Sequence, residues 1–184
     1  MIEVTVLALP EVKLVRLSRH ADARGSFMET YSAPHFAAAC LPDAWVQDNE
    51  VYSQAAGTVR GLHFQVAPHG QGKLVRALSG RILDVAVDVR PQSANFGRHV
   101  AVVLNAERSE ALFIPEGFAH GYCTLSLDTL VQYKVTRPYA PEAERALFWA
   151  DPDLGIAWPV SAGAAVVSPR DAQAPSLAAL KAGL

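Results

Sequence analysis

The chain has 184 residues, of which 51% are hydrophobic and 18% are charged, so it has ample apolar material for the core of a single domain spanning residues 1–184. A net charge of −2 excludes the broadly basic surface of a general nucleic-acid binder. Two cysteines are too few for a disulfide framework, and the absence of a long apolar run argues against a membrane span. The start of the chain lacks the basic region of a signal peptide, so we expect a cytoplasmic protein that contacts neither membrane nor nucleic acid.

Short strands dominate the predicted secondary structure. In chain order, a helix over residues 33–39 is followed by strands at 73–78, 81–90, 99–104, 111–114, 121–125 and 129–136, because these segments alternate and are rich in β-branched residues. Residues 138–159 contain four prolines and two tryptophans and are predicted to wrap over the core as an ordered arm. A last helix is predicted over 176–181, with Ser176 as its N-cap. Short strands at this spacing indicate a β-sandwich or barrel.

Two local features of the central strands lead to specific expectations. Ser79 and Gly80 form a short turn between consecutive strands, which predicts that these strands pair as a hairpin. In the strand 81–90, Asp84 and Asp88 share the polar face. That face is either a solvated outer surface or the lumen of a barrel that holds a ligand.

Two of the six histidines lie in glycine-rich segments where chemistry is expected. His63 belongs to RGLHFQ (60–65) and His120 to IPEGFAHG (114–121), and both segments resemble the two motifs of the cupin barrel. Metal-binding cupins carry His-x-His in the first motif, but here the second position is Gln65. A metal site needs three or four converging ligands and the sequence offers two at best, so no metal is predicted. Without a metal, His63 can act as a base near neutral pH.

Longer motifs carry a closer resemblance over most of the chain. They are DARGSFME (22–29), VQDNE (46–50), RGLHFQ (60–65), QGKLVR (71–76), DVAVDVR (84–90), IPEGFAHG (114–121), YKVT (133–136), DPDL (151–154), WP (158–159) and SPRD (168–171). Together they resemble the dTDP-4-dehydrorhamnose 3,5-epimerase family, the sugar-nucleotide epimerases of the cupin class. The resemblance implies a mainly β fold, a cupin-like double-stranded β-helix (jelly-roll) barrel with a few short helices, and a homodimer.

The same resemblance implies the reaction. Its substrate is a dTDP-linked 4-keto-6-deoxy sugar, dTDP-4-dehydro-6-deoxy-D-glucose, whose C4 ketone acidifies the protons on C3 and C5. A base removes a proton, an enolate forms, and an acid reprotonates the opposite face, so that both inversions give dTDP-4-dehydro-L-rhamnose. No cofactor is expected, and the sequence has no dinucleotide-binding glycine motif.

Roles follow residue by residue from the resemblance. His63 is the implied base and Asp171 its orienting partner, Tyr133 is the acid, and Lys73 stabilises charge on the C4 oxygen. Substrate-binding roles are implied for Arg24, Glu29, Gln47, Asn49, Arg60, His120, Tyr139, Glu144 and Arg170. The three arginines suit a pyrophosphate, Tyr139 is expected to stack on thymine, and Asp84 is the carboxylate neighbour expected for His120.

Two expectations concern the backbone. Arg60 and His63 have opposite parity, so their joint use predicts irregular backbone at Gly61. The segment from Glu3 to Arg19 is the candidate for strand exchange in a homodimer, which could bring Arg24 or Glu29 into the partner's site.

Three other functions remain open. A mono-epimerase acting at C3 or C5 alone would keep the same motifs. A metal-dependent cupin enzyme would contain stoichiometric metal. A non-catalytic binding module would bind dTDP without turnover, and would have no use for an acid and a base on opposite faces of a sugar.

Overall fold

The computed structural model describes residues 2–183, so the first and last residues of the predicted domain 1–184 lie outside the described residues. The strands are β1 (Ile2–Val6), β2 (Lys13–Leu17), β3 (Arg19–Asp22), β4 (Gly25–Met28), β5 (Gln47–Ser53), β6 (Val59–Gln65), β7 (Lys73–Ser79), β8 (Arg81–Asp88), β9 (His99–Asn105), β10 (Glu110–Ile114), β11 (Phe118–Thr124), β12 (Thr129–Val135) and β13 (Glu144–Ala146). The α-helices are α1 (Ala33–Ala38), α2 (Pro169–Ala172) and α3 (Leu177–Gly183). The predicted strands and both predicted helices are therefore confirmed. Within residues 2–183, no helix has the length and apolar character needed to cross a membrane.

Two antiparallel sheets face each other across the main core. One has the order β1-β2-β10-β7-β12-β5 and the other the order β13-β6-β11-β8-β9. The core between them contains side chains from both sheets, such as Val75, Leu112 and Val131 from the first and Ile82 and Ala86 from the second. This mainly β sandwich agrees with the predicted jelly roll, whose two closely packed sheets leave few exposed edges.

The predicted hairpin at Ser79 and Gly80 is wrong. Strand β7 pairs with β10 and β12, whereas β8 pairs with β9 and β11. The turn instead carries the chain from one sheet to the other, and Gly80 supplies the positive φ of +75° that it requires. A two-residue turn signal specifies local backbone geometry, but distant strands decide which edges pair.

The outer faces of the two sheets are covered differently. Helix α1 covers the first sheet, where Phe36 is buried against Val15 and Leu74. The predicted arm covers the second sheet and is confirmed, because it buries Leu147 and Trp149 there. Strand β13 of this arm pairs with β6 and extends the second sheet.

The polar face of β8 points inward. Asp84 is fully buried, and its face neighbours Ile82 and Ala86 belong to the core between the sheets. The face therefore points into the space between the sheets, and the solvated interpretation is wrong. Asp88 is also fully buried, where it forms an ion pair with Arg90 at 2.6 Å.

Strand β6 is irregular at Gly61, as predicted. Opposite β11, His63 pairs with His120 and Arg60 pairs with Tyr122, so three steps along β6 match two steps along β11. Gly61 has a φ of +112°, a conformation that side chains disfavour. The extra residue turns Arg60 and His63 toward the same cavity.

Replacing Gly61 by alanine is expected to lower the free energy of unfolding by about 3 kcal/mol or more. A Cβ at this position would lie 2.6 Å from both the Gly121 Cα and the His120 carbonyl oxygen. The matched control is Gly163→Ala, because a Cβ there meets no atom within 4 Å. Urea titration of both variants checks the prediction, and equal midpoints would contradict it.

Candidate active site

A cavity of about 530 Å³ opens between the two sheets. The second sheet contributes side chains from β6 and β11, the first sheet contributes side chains from β7 and β12, and α2 closes one side. The polar side chains that line it are Thr58, Arg60, His63, Lys73, His120, Tyr122, Tyr133, Ser168, Arg170 and Asp171. All four predicted catalytic residues therefore meet in one cavity.

His63 and Asp171 form a hydrogen-bonded pair. His63 Nε2 lies 2.6 Å from Asp171 Oδ1, and the Gly61 N–H donates to Asp171 Oδ2 at 3.2 Å. Burial acts to raise the pKa of Asp171, but the hydrogen bonds from His63, Gly61 and Ser168 bring its pKa below the ordinary value. The ionised carboxylate can only accept, so Nε2 carries the ring proton. This assignment leaves Nδ1 as the basic nitrogen of His63.

His120 and Asp84 form a second pair beside the first. His63 and His120 are direct cross-strand neighbours, and His120 Nε2 lies 2.6 Å from Asp84 Oδ1. Burial lowers the pKa of His120 below its ordinary value, and the cation of Lys73 acts in the same direction, although Asp84 opposes both. His120 is therefore held as a neutral hydrogen-bonding group, with the Asp84 neighbour that the sequence analysis assigned to it.

Lys73 and Tyr133 lie on the opposite wall, which the first sheet forms. The Lys73 ammonium is buried and donates to the His63 carbonyl oxygen at 3.2 Å. Burial lowers the pKa of Lys73 to about 8, because the favourable charges of Asp84 and Glu144 offset only part of the lost hydration. Burial, reinforced by Glu144, raises the pKa of Tyr133. At neutral pH the wall thus presents a cation and a protonated phenol.

A chain of hydrogen bonds joins the cavity to four more of the predicted binding residues. The Arg170 guanidinium donates to Glu144 Oε2 at 2.6 Å, and Tyr139 Oη donates to the same oxygen at 2.8 Å. The Tyr139 N–H donates to Gln47 Oε1 at 3.3 Å, and the Gln47 amide donates to Asn49 Oδ1 at 2.7 Å. These contacts place the five residues in one network that begins at the cavity.

Arg24 and Glu29 do not lie at this cavity. Arg24 lies between β3 and β4, which form a separate two-stranded sheet, and it pairs with Asp22 at 2.6 Å. Glu29 pairs with His35 at 2.7 Å. The single chain therefore does not bring Arg24 and Glu29 to the cavity.

Sequence reasoning missed Tyr122 as a lining residue. It is 3% exposed and lies two positions after His120 in β11, so the two side chains share a face. The alternation of β11 was a signal that could have found it. Among residues 2–183, no three His, Cys, Asp or Glu side chains converge as a metal ion would require.

Comparison with known proteins identifies the family. The model of the family described as dTDP-4-dehydrorhamnose 3,5-epimerase matches residues 6–179 of this chain. The chain belongs to this family. The epimerase family accounts for the coincidence of ordered motifs along the sequence and for their convergence on one cavity.

Individual relatives agree with this assignment. The dTDP-4-dehydrorhamnose 3,5-epimerase of Sinorhizobium fredii is 47% identical over 174 residues, which cover 95% of this chain and 89% of the relative. The Legionella pneumophila epimerase, solved in complex with dTDP-4-keto-L-rhamnose, has a TM-score of 0.91 and 38% identity, covering 97% of this chain and 94% of its own. A 3'-monoepimerase from Streptomyces bikiniensis, solved with dTDP-quinovose, has a TM-score of 0.89 and 34% identity, covering 96% and 88%. These similarities confirm the cupin-like jelly roll.

Proposed function

We propose that this epimerase converts dTDP-4-dehydro-6-deoxy-D-glucose into dTDP-4-dehydro-L-rhamnose by inverting C3 and C5. The observation that carries the proposal is the placement of His63 and Tyr133 on opposite walls of one cavity. Inversion by proton transfer needs a base on one face of the carbon and an acid on the other. The similarity to an epimerase solved with dTDP-4-keto-L-rhamnose supports the same sugar class.

The first step is proton removal beside the ketone. His63 Nδ1 accepts the proton from C3 or C5, and Asp171 stabilises the resulting imidazolium through its bond to Nε2. Negative charge then develops on the C4 oxygen. The buried Lys73 ammonium is the cation available to stabilise that oxyanion, and its effect is strong because the surroundings have low polarity.

The second step is reprotonation from the opposite wall. The Tyr133 hydroxyl donates its proton to the same carbon, which inverts the configuration, and the enolate returns to a ketone. Solvent then reprotonates the tyrosine oxygen and takes the proton from His63, and the cycle repeats at the other carbon. The reaction moves protons only, so its balance requires neither an oxidant nor a reductant.

The nucleotide end fits the network at the rim of the cavity. Arg60 and Arg170 can bind the pyrophosphate, because guanidinium groups bind phosphate oxygens in a bidentate manner. Glu144 accepts hydrogen bonds from both Arg170 and Tyr139. The ring proposed to stack on thymine is therefore positioned by the same carboxylate as the arginine proposed to bind the pyrophosphate. The amides of Gln47 and Asn49 supply donors and acceptors for the polar edges of the nucleoside.

Deuterium incorporation tests the proposed function. The protein is incubated in heavy water with dTDP-4-dehydro-6-deoxy-D-glucose, and NMR locates the label while a rhamnose-forming reductase traps the product. Label at both C3 and C5 is the expected result. Label at one carbon would assign the chain to the mono-epimerases, such as its relative from S. bikiniensis, and no label at either carbon would reject both functions.

The pH dependence of turnover provides a prediction about Lys73. Its ammonium is charged below a pKa of about 8 and neutral above it, so kcat is expected to fall as the pH rises through about 8. Tyr133 does not produce this change, because its pKa is raised from an already alkaline value. Lys73→Arg is the matched variant. Because its guanidinium stays charged, the alkaline limb of the pH profile, where kcat falls, should move to higher pH. An unchanged limb in that variant would contradict the assignment.

We also propose a homodimer in which the partner supplies Arg24 and Glu29. The ribbon formed by β3 and β4 supports this, because seven of its eight residues are exposed and Phe27 is 70% exposed. A two-stranded ribbon is marginally stable alone, so a second surface should hold it. Strands β1 and β2 add to the chain's own sheet beside β10, and their exchange between subunits remains a prediction.

Mixing two inactive variants tests the shared site. Arg24→Ala and His63→Ala homodimers are each expected to have little activity. If the partner supplies Arg24, unfolding and refolding them together should restore activity, because one site of each mixed dimer then has both native residues. A mixture no more active than its components, in a sample that sedimentation shows to be dimeric, would contradict this arrangement.

A single domain and a cytoplasmic location complete the proposal. The three hydrophobic clusters are built on strands of the same two sheets, which favours one folding unit for residues 1–184. Cys40 and Cys123 are unpaired, which suits a reducing compartment.

A further inference from the structure

Two buried polar atoms between the sheets lack a hydrogen-bond partner among the residues that the structure describes. They are the Tyr122 hydroxyl oxygen and Asp84 Oδ2. Tyr122 is 3% exposed and Asp84 is fully buried, and the two residues are direct cross-strand neighbours on β11 and β8. Because buried polar atoms are nearly always paired in folded proteins, each unpaired atom indicates a group that binds there.

The surrounding side chains leave one donor and one acceptor unused. Asp84 Oδ1 is already paired with His120, so only Oδ2 remains as an acceptor. Burial raises the pKa of Tyr122, so the phenol keeps its proton at neutral pH. Ser53 Oγ accepts from Arg60 Nε at 3.1 Å. The Tyr122 hydroxyl forms no hydrogen bond with the described residues, so its proton lacks an acceptor.

A hydroxyl group is the chemical group that satisfies both atoms, because it accepts one hydrogen bond and donates another. We infer that Tyr122 and Asp84 form a subsite that binds a hydroxyl group of the substrate sugar. The Tyr122 hydroxyl donates to the sugar oxygen, and the sugar hydroxyl donates to Asp84 Oδ2. The inference rests on the proposed function, since the substrate carries one hydroxyl on the reacting carbon C3 and another on the adjacent carbon C2.

This subsite makes Tyr122 a specificity residue that takes no part in proton transfer. Tyr122 lies two residues after His120 in β11, and His120 is the cross-strand neighbour of the base His63. A hydroxyl that binds Tyr122 is therefore expected close to the carbon from which His63 removes a proton. An ordered water molecule has the same hydrogen-bonding chemistry as a sugar hydroxyl. The test must therefore separate a sugar hydroxyl from water.

Equilibrium binding to unreactive ligands separates them. The ligands are dTDP, dTDP-6-deoxyglucose and the 2-deoxy and 3-deoxy forms of that sugar nucleotide, and the proteins are the wild type and Tyr122→Phe. In the wild type, removal of one of the two hydroxyls should weaken binding roughly tenfold. Tyr122→Phe should bind the parent sugar nucleotide as weakly as the wild type binds that deoxy form, with unchanged dTDP affinity.

Several results would overturn the subsite. If the wild type binds dTDP-6-deoxyglucose and both of its deoxy forms with equal affinity, the subsite is excluded without any variant. It is also excluded if Tyr122→Phe binds dTDP-6-deoxyglucose as tightly as the wild type does. An equal loss for every ligand, dTDP included, would assign the effect to water or packing.

Thermal unfolding of the free protein distinguishes a binding role of Tyr122 from a structural one, because a structural hydroxyl would lower the Tm when removed. If the hydroxyl has no partner in the fold, Tyr122→Phe should have a Tm at least as high as the wild type, and a lower Tm would contradict the inference. Failure of the proposed function shows itself separately, as absence of deuterium incorporation by the wild type. The binding comparison does not depend on turnover, so the two failures are distinguishable.

Discussion

Replacing His63 by alanine should reduce deuterium exchange at C3 and C5 by about 10³-fold or more, since general-base catalysis contributes this much to proton abstraction. The remaining side chains of that wall cannot substitute, because His120 is already engaged by Asp84 and its pKa is lowered by burial. Affinity for dTDP should be retained, since Arg60 and Arg170 are untouched. Exchange is measured by NMR and dTDP affinity by calorimetry.

Two further variants sharpen this result. His69→Ala is the matched control, because its ring is about half exposed and does not line the cavity. Asp171→Asn keeps the shape of the base's partner but removes the charge that stabilises imidazolium, so it should lower the rate by about 10²-fold or more. Exchange that persists in His63→Ala would remove His63 from the role of base.

Replacing Tyr133 by phenylalanine should reduce product formation by about 10²-fold or more, because the acid on the opposite wall is lost. The base is intact, so His63 can remove a proton and return one to the same face. Recovered substrate should therefore acquire deuterium without inversion, which distinguishes this variant from His63→Ala. NMR of the recovered sugar nucleotide measures both the label and the configuration.

The control for Tyr133→Phe is Tyr31→Phe, which removes a phenol hydroxyl beside α1, outside the cavity. It should leave both exchange and product formation unchanged. If Tyr133→Phe weakens substrate binding and leaves kcat unaltered, Tyr133 is a substrate contact and the acid lies elsewhere.

The fold could be predicted to the extent that it depends on local pattern. Alternation placed the strands from Lys73 to Val135, and the prolines and tryptophans of 138–159 indicated an arm. The hairpin at Ser79 and Gly80 failed because turn residues describe a few local dihedral angles. Strand partners are chosen by contacts that are distant in sequence, such as β7 with β12 and β8 with β11.

The site could be predicted where a backbone rule or a motif applied. The parity conflict between Arg60 and His63 required an irregularity, and Gly61 supplies it. Tyr122 was missed because residue type alone does not distinguish it from an ordinary core aromatic. Only the structure shows that its buried hydroxyl has no hydrogen-bond partner. Arg24 and Glu29 could be named from the family motif, but the single chain does not bring them to the cavity.

By itself, the sequence determined the strand pattern and the polar face of β8, because these follow from residue type and alternation. Its motifs named the groups that transfer protons only through their resemblance to the epimerase family. Tertiary structure decided which groups meet: His63 and Asp171 are 108 positions apart and lie 2.6 Å from each other. It also decided their electrostatics, since burial between the sheets lowers the pKa of Lys73 to about 8. Burial and long-range pairing are properties of the packed sheets, and no short segment of the chain contains them.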